Sequence, residues 1–307
     1  MITALGLDIG GTQIKGARVD AEGRVLDRRS IPTPRSLDEF AVAFRAMAAE
    51  LGGGSVDAVG IGCKGLIEPE TTRVVVSPGP VVYLEGHSLA ELAGVNAPVV
   101  ADNDARVALA GEVVWGAARG LRNALMFTLG TGVGGGILAD GRIVRGATGV
   151  AGHLGHVTVD PDGVPCICGN RGCLETVFSA RVIEAEAFSA IHRSLHTSLA
   201  GHPTCAQVFE AAAQGDAIAA RIVDRATFRL AAAIAGLMLA LDPEAVILGG
   251  NIAGAGEMLR EPLRREIRDR TRVMLPREVA IVRSQVEDGV IGAAALAMAV
   301  IGSRGPA

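Results

Sequence analysis

Three cysteines, Cys166, Cys168 and Cys173, fall within eight positions, ten residues after His156. One imidazole and three thiolates make a complete tetrahedral ligand set for Zn2+. Glycine-rich turns separate these cysteines, which core cysteines would not need. With all four positions supplied by protein, the ion is expected to be structural, because a catalytic zinc keeps one position open. The remaining cysteines, Cys63 and Cys205, stand apart, and a buried core place is the plain reading of Cys205.

Two glycine turns form the second chemical signal. In Asp8-Ile9-Gly10-Gly11-Thr12-Gln13-Ile14-Lys15, a tight turn lets backbone N–H groups approach a phosphate without interference from Cβ atoms. Thr12 adds a hydroxyl, Asp8 can hold Mg2+ through water, and Lys15 joins the phosphate-binding candidates. An ordinary Gly-Gly hairpin explains the segment equally well, and its spacing is not that of a Walker A loop. In Gly130-Thr131-Gly132-Val133-Gly134-Gly135-Gly136, five glycines in seven positions form a stronger candidate cradle. Gly249-Gly250, after an apolar run, is a weaker one. Asn103-Asp104 offers either a general base or a helix cap, and from the pair alone capping is the better reading. Glu175 reads by itself as a helix-start glutamate.

These residues need elements to hold them. Apolar patterning predicts strands at Thr3–Ile9, Ile14–Val19, Arg24–Ile31, Val56–Gly62 and Val74–Val76, with a strand end at Val99-Val100. Helices are predicted at Ser36–Leu51, capped by Ser36, and at Ser88–Ala93 and Ala105–Trp115. A second cycle follows: strand Ala124–Leu129, glycine turn Gly130–Gly136, strand Gly136–Ala139 and a hairpin turn at Asp140-Gly141. After a loop over His153–Cys173 come helices Glu175–Leu195, Thr204–Gln214 and Ala217–Leu241. Strand Ala245–Leu248, helix Leu259–Arg268, strand Val279–Val282 and helix Asp288–Ile301 close the chain. The repeated order of strand, glycine turn, strand and helices predicts two related α/β domains across a cleft, with residues 1–117 joined by the C-terminal helix at about 288–307, and 118–287 carrying the zinc loop.

Composition narrows the function. The 307 residues carry a formal charge of −4 and only 3% aromatics, which gives nucleic acid or anionic lipid little to hold. The longest apolar runs, near Leu230–Leu241 and Val290–Ile301, are each about a dozen residues, short of the roughly 18 a bilayer span needs. The N-terminus lacks a secretory pattern, so a cytoplasmic protein without membrane or nucleic-acid partners is expected.

Together these elements resemble the ROK family of bacterial sugar kinases and related repressors, within the two-domain actin-like (hexokinase/RNase H-like) ATPase fold. The resemblance runs from Asp8 to the last helix and is most specific from Gly152-His153-Leu154-Gly155-His156 through Cys166–Glu175. It implies that Asp8, Gly10, Gly11 and Thr12 form one phosphate element, and Gly130, Thr131, Gly132 and Gly134 a second. Gly249 and Gly250 match the adenosine element. Asp104 matches the catalytic base, and Asn103, His156 and Glu175 match sugar ligands, with His156 also on the zinc. The activity the resemblance implies is transfer of the γ-phosphate of MgATP to the 6-hydroxyl of a hexose or N-acetylhexosamine, glucose or N-acetylmannosamine-like, and a homodimer is common among such proteins.

The chain departs from the pattern in three places. His153 stands where most members have a sugar-binding Glu; Gly-x-Ala-Gly-His-x-Gly-His resembles bacterial N-acetylmannosamine kinases. Cys63-Lys64 precedes Gly65, in a segment that normally approaches the sugar, where glucokinase-like members often carry Pro. Arg106 replaces a frequent Asn, a change expected to have no catalytic consequence. A repressor is disfavoured because Asp8 leaves no room for a preceding DNA-binding domain. A non-catalytic sugar sensor and a kinase using another phosphate donor, such as polyphosphate, stay open as alternatives.

Overall fold

The computed structural model describes residues 2–53, 56–286 and 288–303, without the side chains of 302 and 303. It divides into two compact units: Met1–Leu121, Arg142–Gly152 and Ser284–Ala307 in the first, Arg122–Gly141 and His153–Arg283 in the second. Residues 142–152, expected with the second domain, fall with the first.

In the first unit, Thr3–Ile9 (β1), Gln13–Asp20 (β2) and Val25–Pro32 (β3) form an antiparallel meander. After helix Leu37–Gly52 (α1), Ala58–Cys63 (β4) pairs parallel with β1. A small ribbon, Leu66–Ile67 (β5) and Val74–Val76 (β6), and helix Leu89–Ala93 (α2) lead to Val99–Asn103 (β7), parallel to β4. The sheet order is β3-β2-β1-β4-β7. Asp104–Trp115 (α3) follows directly on β7. Every residue of β4 is buried, as expected of a parallel strand covered on both faces.

The cover on one face explains the closing apolar run. Helix Gly289–Ser303 (α8) is rich in alanine and lies against glycines of β1 and β4. A Cβ on Gly6 would sit 1.9 Å from the Val290 carbonyl oxygen, and one on Gly60 would sit 1.8 Å from that of Ala293. Small residues on both sides bring a helix backbone onto a sheet, so the run is a packed core helix.

The second unit repeats the plan. Ala124–Leu129 (β8) and Val133–Ala139 (β9) are antiparallel; after the Asp140-Gly141 turn the chain passes to the short strand Arg142–Ile143 (β10), which falls with the first unit. Helices Ala180–His192 (α4), Cys205–Ala213 (α5) and Ala217–Leu241 (α6) precede Ala245–Gly249 (β11), which is parallel to β8. Glu257–Thr271 (α7) leads to Ala280–Arg283 (β12), parallel to β11. A separate apolar core, with Phe127, Phe178, Leu230, Val246 and Leu263, fills this unit.

Two further expectations differ from the structure. The glycine turn is only Gly130–Gly132, because Gly134, Gly135 and Gly136 belong to β9 and pair with Thr128, Phe127 and Met126. A Cβ on Gly135 would lie 2.6 Å from Leu154, so this glycine serves close packing beneath a 3-10 turn at Leu154–His156. The helix expected from Glu175 begins at Ala180, after a 3-10 turn at Leu174–Thr176.

Candidate active site

In the first unit, Asp8 sits near the end of β1, between buried Leu7 and Ile9. Lys15 is its register partner on β2. The turn between them is fixed by main chain: Gly10 N donates to Gln13 O, Thr33 N donates to Thr12 O, and Thr33 Oγ1 donates to Gly10 O at 2.7 Å. Burial pushes the Asp8 carboxyl up to about 6, and the charges of Asp104 and Asp288 add to that while Lys15 opposes it. Asp8, Asp104 and Asp288 thus share a local excess of negative charge, the setting in which a divalent cation is favoured. Gly289 opens α8 beside Asp8: a Cβ there would lie 2.6 Å from Asp8 Oδ2. Asp8, Lys15, Arg28, Asp288 and Gly289 help line an open cavity of about 550 Å3.

The β7–α3 junction separates the two readings of Asn103-Asp104. The cap is Asn103, whose Oδ1 accepts from Ala105 N at 3.0 Å. Its Nδ2 donates to Gly65 O at 2.9 Å. Gly65 has φ +108°, and a Cβ would meet Val76 O at 2.0 Å, so no other residue fits. Asp104 is exposed on the first turn, and its Oδ1 accepts from Ala105 N at 2.9 Å. The structure therefore brings Gly65, Asn103 and Asp104 together, with Asp8 near enough to feel the charge of Asp104.

Cys63 is buried at the end of β4, donating weakly to Lys64 O, and burial pushes its thiol far up, which makes it inert. Lys64 is exposed.

In the second unit, the Gly130–Gly132 turn is closed by Gly130 N donating to Gly132 O at 3.0 Å and anchored by Ala180 N donating to Gly130 O at 2.8 Å. Glu175 enters it from below. Its Oε2 accepts from Val133 N at 2.9 Å and lies 2.1 Å from where a Cβ of Gly132 would be. Arg181 pairs with Glu175 at 3.7 Å and donates to Thr131 O at 3.1 Å. Gly249 ends β11 beside Thr128, and Gly250, with φ +81°, is pressed against Leu129, where a Cβ would lie 2.4 Å from the carbonyl oxygen. Gly134 lies in the strand, outside the turn.

The ligand atoms of His156, Cys166, Cys168 and Cys173 all lie within 4.8 Å of one another. A tetrahedral zinc with about 2.3 Å bonds to sulfur fits that spacing. Asn170 Nδ2 donates to Cys173 Sγ at 3.4 Å, and a bridge between Thr158 and Cys173 holds the loop base. A Cβ on Gly172 would meet Asp160 O at 1.6 Å, so the turn is built around a glycine. Burial lowers the His156 pKa, and His153 lowers it further against the pull of Glu175, which favours the neutral, ligating imidazole. The His153 ring lies parallel to that of His156, with centroids 6.3 Å apart.

Sequence reasoning missed three supporting groups in the first unit. Asp102, 1% exposed, accepts from Arg106 Nε at 2.6 Å and from Arg145 Nε at 2.7 Å. Glu112, fully buried, accepts from Ala117 N, Ser284 Oγ, Gln285 N and Val286 N, and so fixes the approach to α8. Asp288 Oδ1 accepts from Val290 N in the first turn of α8 and pairs with Arg28. Asp102 and Arg106 flank the Asn103-Asp104 pair four residues apart, a spacing that was legible; Glu112 has no local signature.

The ROK family model matches residues 4–300. The chain is 38% identical to a glucokinase of Halalkalibacterium halodurans over 85% of its own length and 83% of that protein's. It is 35% identical to an N-acetylmannosamine kinase of Citrobacter koseri, covering 82% of this chain and 84% of the relative. A crystal structure of a ROK family glucokinase from Streptomyces griseus, in complex with glucose and AMPPNP, superposes with TM-score 0.80 at 33% identity, over 97% of this chain and 99% of that one. With its two α/β units, its Asp8 and Gly130 turns and its His-Cys cluster, the chain belongs to the ROK family.

Proposed function

We propose that this chain is an ATP-dependent hexose kinase that moves the γ-phosphate of ATP onto a sugar hydroxyl, the 6-hydroxyl of glucose or of an N-acetylmannosamine-like sugar. The observation that carries the reading is the β7–α3 junction: Asn103 caps the helix, and Asp104 stands exposed beside it. An exposed carboxylate in that place suits a general base.

Phosphoryl transfer requires alignment and charge neutralisation more than covalent help. Asp104 takes the proton of the sugar hydroxyl as its oxygen bonds to the γ-phosphorus. The bond from that phosphorus to the β–γ bridging oxygen breaks, and ADP leaves. Asn103, Gly65, His153, His156 and Glu175 hold the sugar. The turns that Gly10 and Gly130 close present the main-chain N–H groups of Gly11, Thr12, Thr131 and Gly132, which with Lys15 hold phosphates, and Gly249-Gly250 borders the adenosine. Asp8 holds the Mg2+ that accompanies ATP, whose charge offsets that of the phosphates. His156, Cys166, Cys168 and Cys173 hold a structural zinc, which orients the loop carrying His156. A cytoplasmic homodimer completes the proposal; sedimentation of the purified protein tests the dimer. Among the described residues no helix is long and apolar enough to cross a membrane.

The test is ADP release with MgATP against glucose, mannose, fructose, allose, N-acetylglucosamine and N-acetylmannosamine. One sugar should be clearly preferred, and Asp104→Asn should lower kcat about 10^2- to 10^4-fold in folded protein. No turnover by the wild type with any hexose overturns the reading. Turnover with polyphosphate but not ATP would reassign the donor.

A further inference from the structure

Arg106 is wholly buried, in the first turn of a helix whose first residue is Asp104. Its Nε donates to Asp102 Oδ1, and its Nη1 donates to Ala151 O at 2.7 Å. Arg145 reaches the other oxygen of Asp102, and Ala151 N donates to Arg145 O at 3.1 Å. The loop from Arg145 to Ala151 is therefore closed on itself and fastened at both ends to one buried carboxylate. Two residues after Ala151 comes His153, and three more lead to His156.

The arrangement is an unusual way to fill a core. Two guanidinium groups share one carboxylate, and Arg106 Nη2 is enclosed with no acceptor among the described residues. Burying that group is costly, and a well-packed apolar side chain is often as stable as a buried ion pair. An apolar residue, or the shorter amide expected at this position, could not at once grip Asp102 and the carbonyl of Ala151. What Arg106 adds is a fixed connection between the strand end that carries Asn103 and Asp104 and the loop that ends at Ala151.

We propose that Arg106, with Asp102 and Arg145, is a positioning residue for sugar recognition: the clamp fixes Ala151, two residues before His153 in the chain, and holds the Arg145–Ala151 loop against the strand end that carries Asn103 and Asp104. The inference rests on the kinase reading above, and it departs from the expectation that Arg106 has no catalytic consequence. Because the clamp touches neither phosphate turn, its loss acts on the sugar and spares the nucleotide.

The experiment measures KM for the preferred hexose, KM for MgATP, kcat, zinc content and Tm in wild type, Arg106→Met and Arg145→Met, with Arg145→Lys as the conservative control. Arg145 is 35% exposed, so its variants should fold even where Arg106→Met does not. Expected is a roughly 10- to 100-fold rise in sugar KM with MgATP KM changed less than about twofold, zinc retained, and partial recovery in Arg145→Lys. Sugar KM within about twofold of wild type in folded variants overturns the clamp, as does an equal rise in both KM values. Wild type inactive on every hexose sinks the kinase reading instead, so the two failures are told apart.

Discussion

The two glycine turns occupy the same place in the same plan, yet they are held differently. Each joins the first two strands of an antiparallel meander, and in each unit the first of those strands is flanked by a parallel partner. The β1–β2 turn is fixed by its own backbone and by Thr33, just past the end of β3, with Asp8 just before it. The β8–β9 turn is filled by Glu175, a side chain 42 residues beyond the Val133 N–H it accepts from. A turn held by main chain keeps its shape whatever the loops do. A turn plugged by Glu175 inherits its shape from the Cys173–Thr176 segment, and so from the His-Cys cluster. The contrast places charge and rigidity in the first unit, and dependence on a loop in the second.

Removing the proposed zinc should break this comparison most visibly. Chelation, or Cys173→Ser, should release about one equivalent of zinc and weaken sugar affinity on the order of 100-fold. Titration calorimetry with the sugar and with MgADP checks it. Nucleotide binding falling as steeply as sugar binding would show that both turns depend on the loop.

Asp8→Asn probes the other side. The folded carboxyl titrates near 6, above its unfolded value of 3.8, so the native state binds the extra proton. Asp8 therefore destabilises the metal-free fold increasingly as pH rises from about 4 to about 6, by up to about 3 kcal/mol at neutral pH. Asp8→Asn should accordingly raise Tm at pH 7.5, with the gain gone at pH 4, while turnover falls on the order of 100-fold. A variant less stable than wild type at pH 7.5 would mean that the carboxylate is structural.

Gly132→Ala tests the plug. The added methyl must displace Glu175 Oε2, which breaks its bond to Val133 N. The expected cost is about 1–2 kcal/mol of stability, with sugar KM raised about tenfold. Glu175→Gln, which keeps one acceptor for Val133 N, should retain most of the stability and show the KM effect alone.

Much of this was legible. Strands Thr3–Ile9 and Ala124–Leu129 and helix Ala217–Leu241 were readable to the residue, because apolar runs end there at glycine, or at an Asp and a Gln-Gly-Asp turn. The His-Cys cluster was legible because metal ligands lie close in sequence. The Gly134–Gly136 strand was not, since glycines that admit Leu154 look locally like glycines that admit a phosphate. The Asp102 clamp and the Glu112 hub were hidden for another reason. Beyond near neighbours such as Arg106 and Ala117, their partners lie 43 and more than 170 residues away, so only the Asp102–Arg106 spacing left a local trace.

The smallest effect should come from Gly11→Ala, and it sharpens the comparison most narrowly. Gly11 is exposed, its φ lies outside the left-handed region, and a Cβ would lie 3.2 Å from Pro80 Cγ. Alanine fits with a shift of a few tenths of an ångström, so stability should change by less than about 1 kcal/mol. If the turn is built to bring N–H groups close to phosphate, the methyl should nonetheless raise KM for MgATP several-fold and leave sugar KM alone. Thermal melts and paired KM measurements separate the cases. A stability loss equal to that of Gly132→Ala would mean that both turns need glycine for packing, and the division between a turn held by main chain and a turn held by Glu175 would no longer predict function.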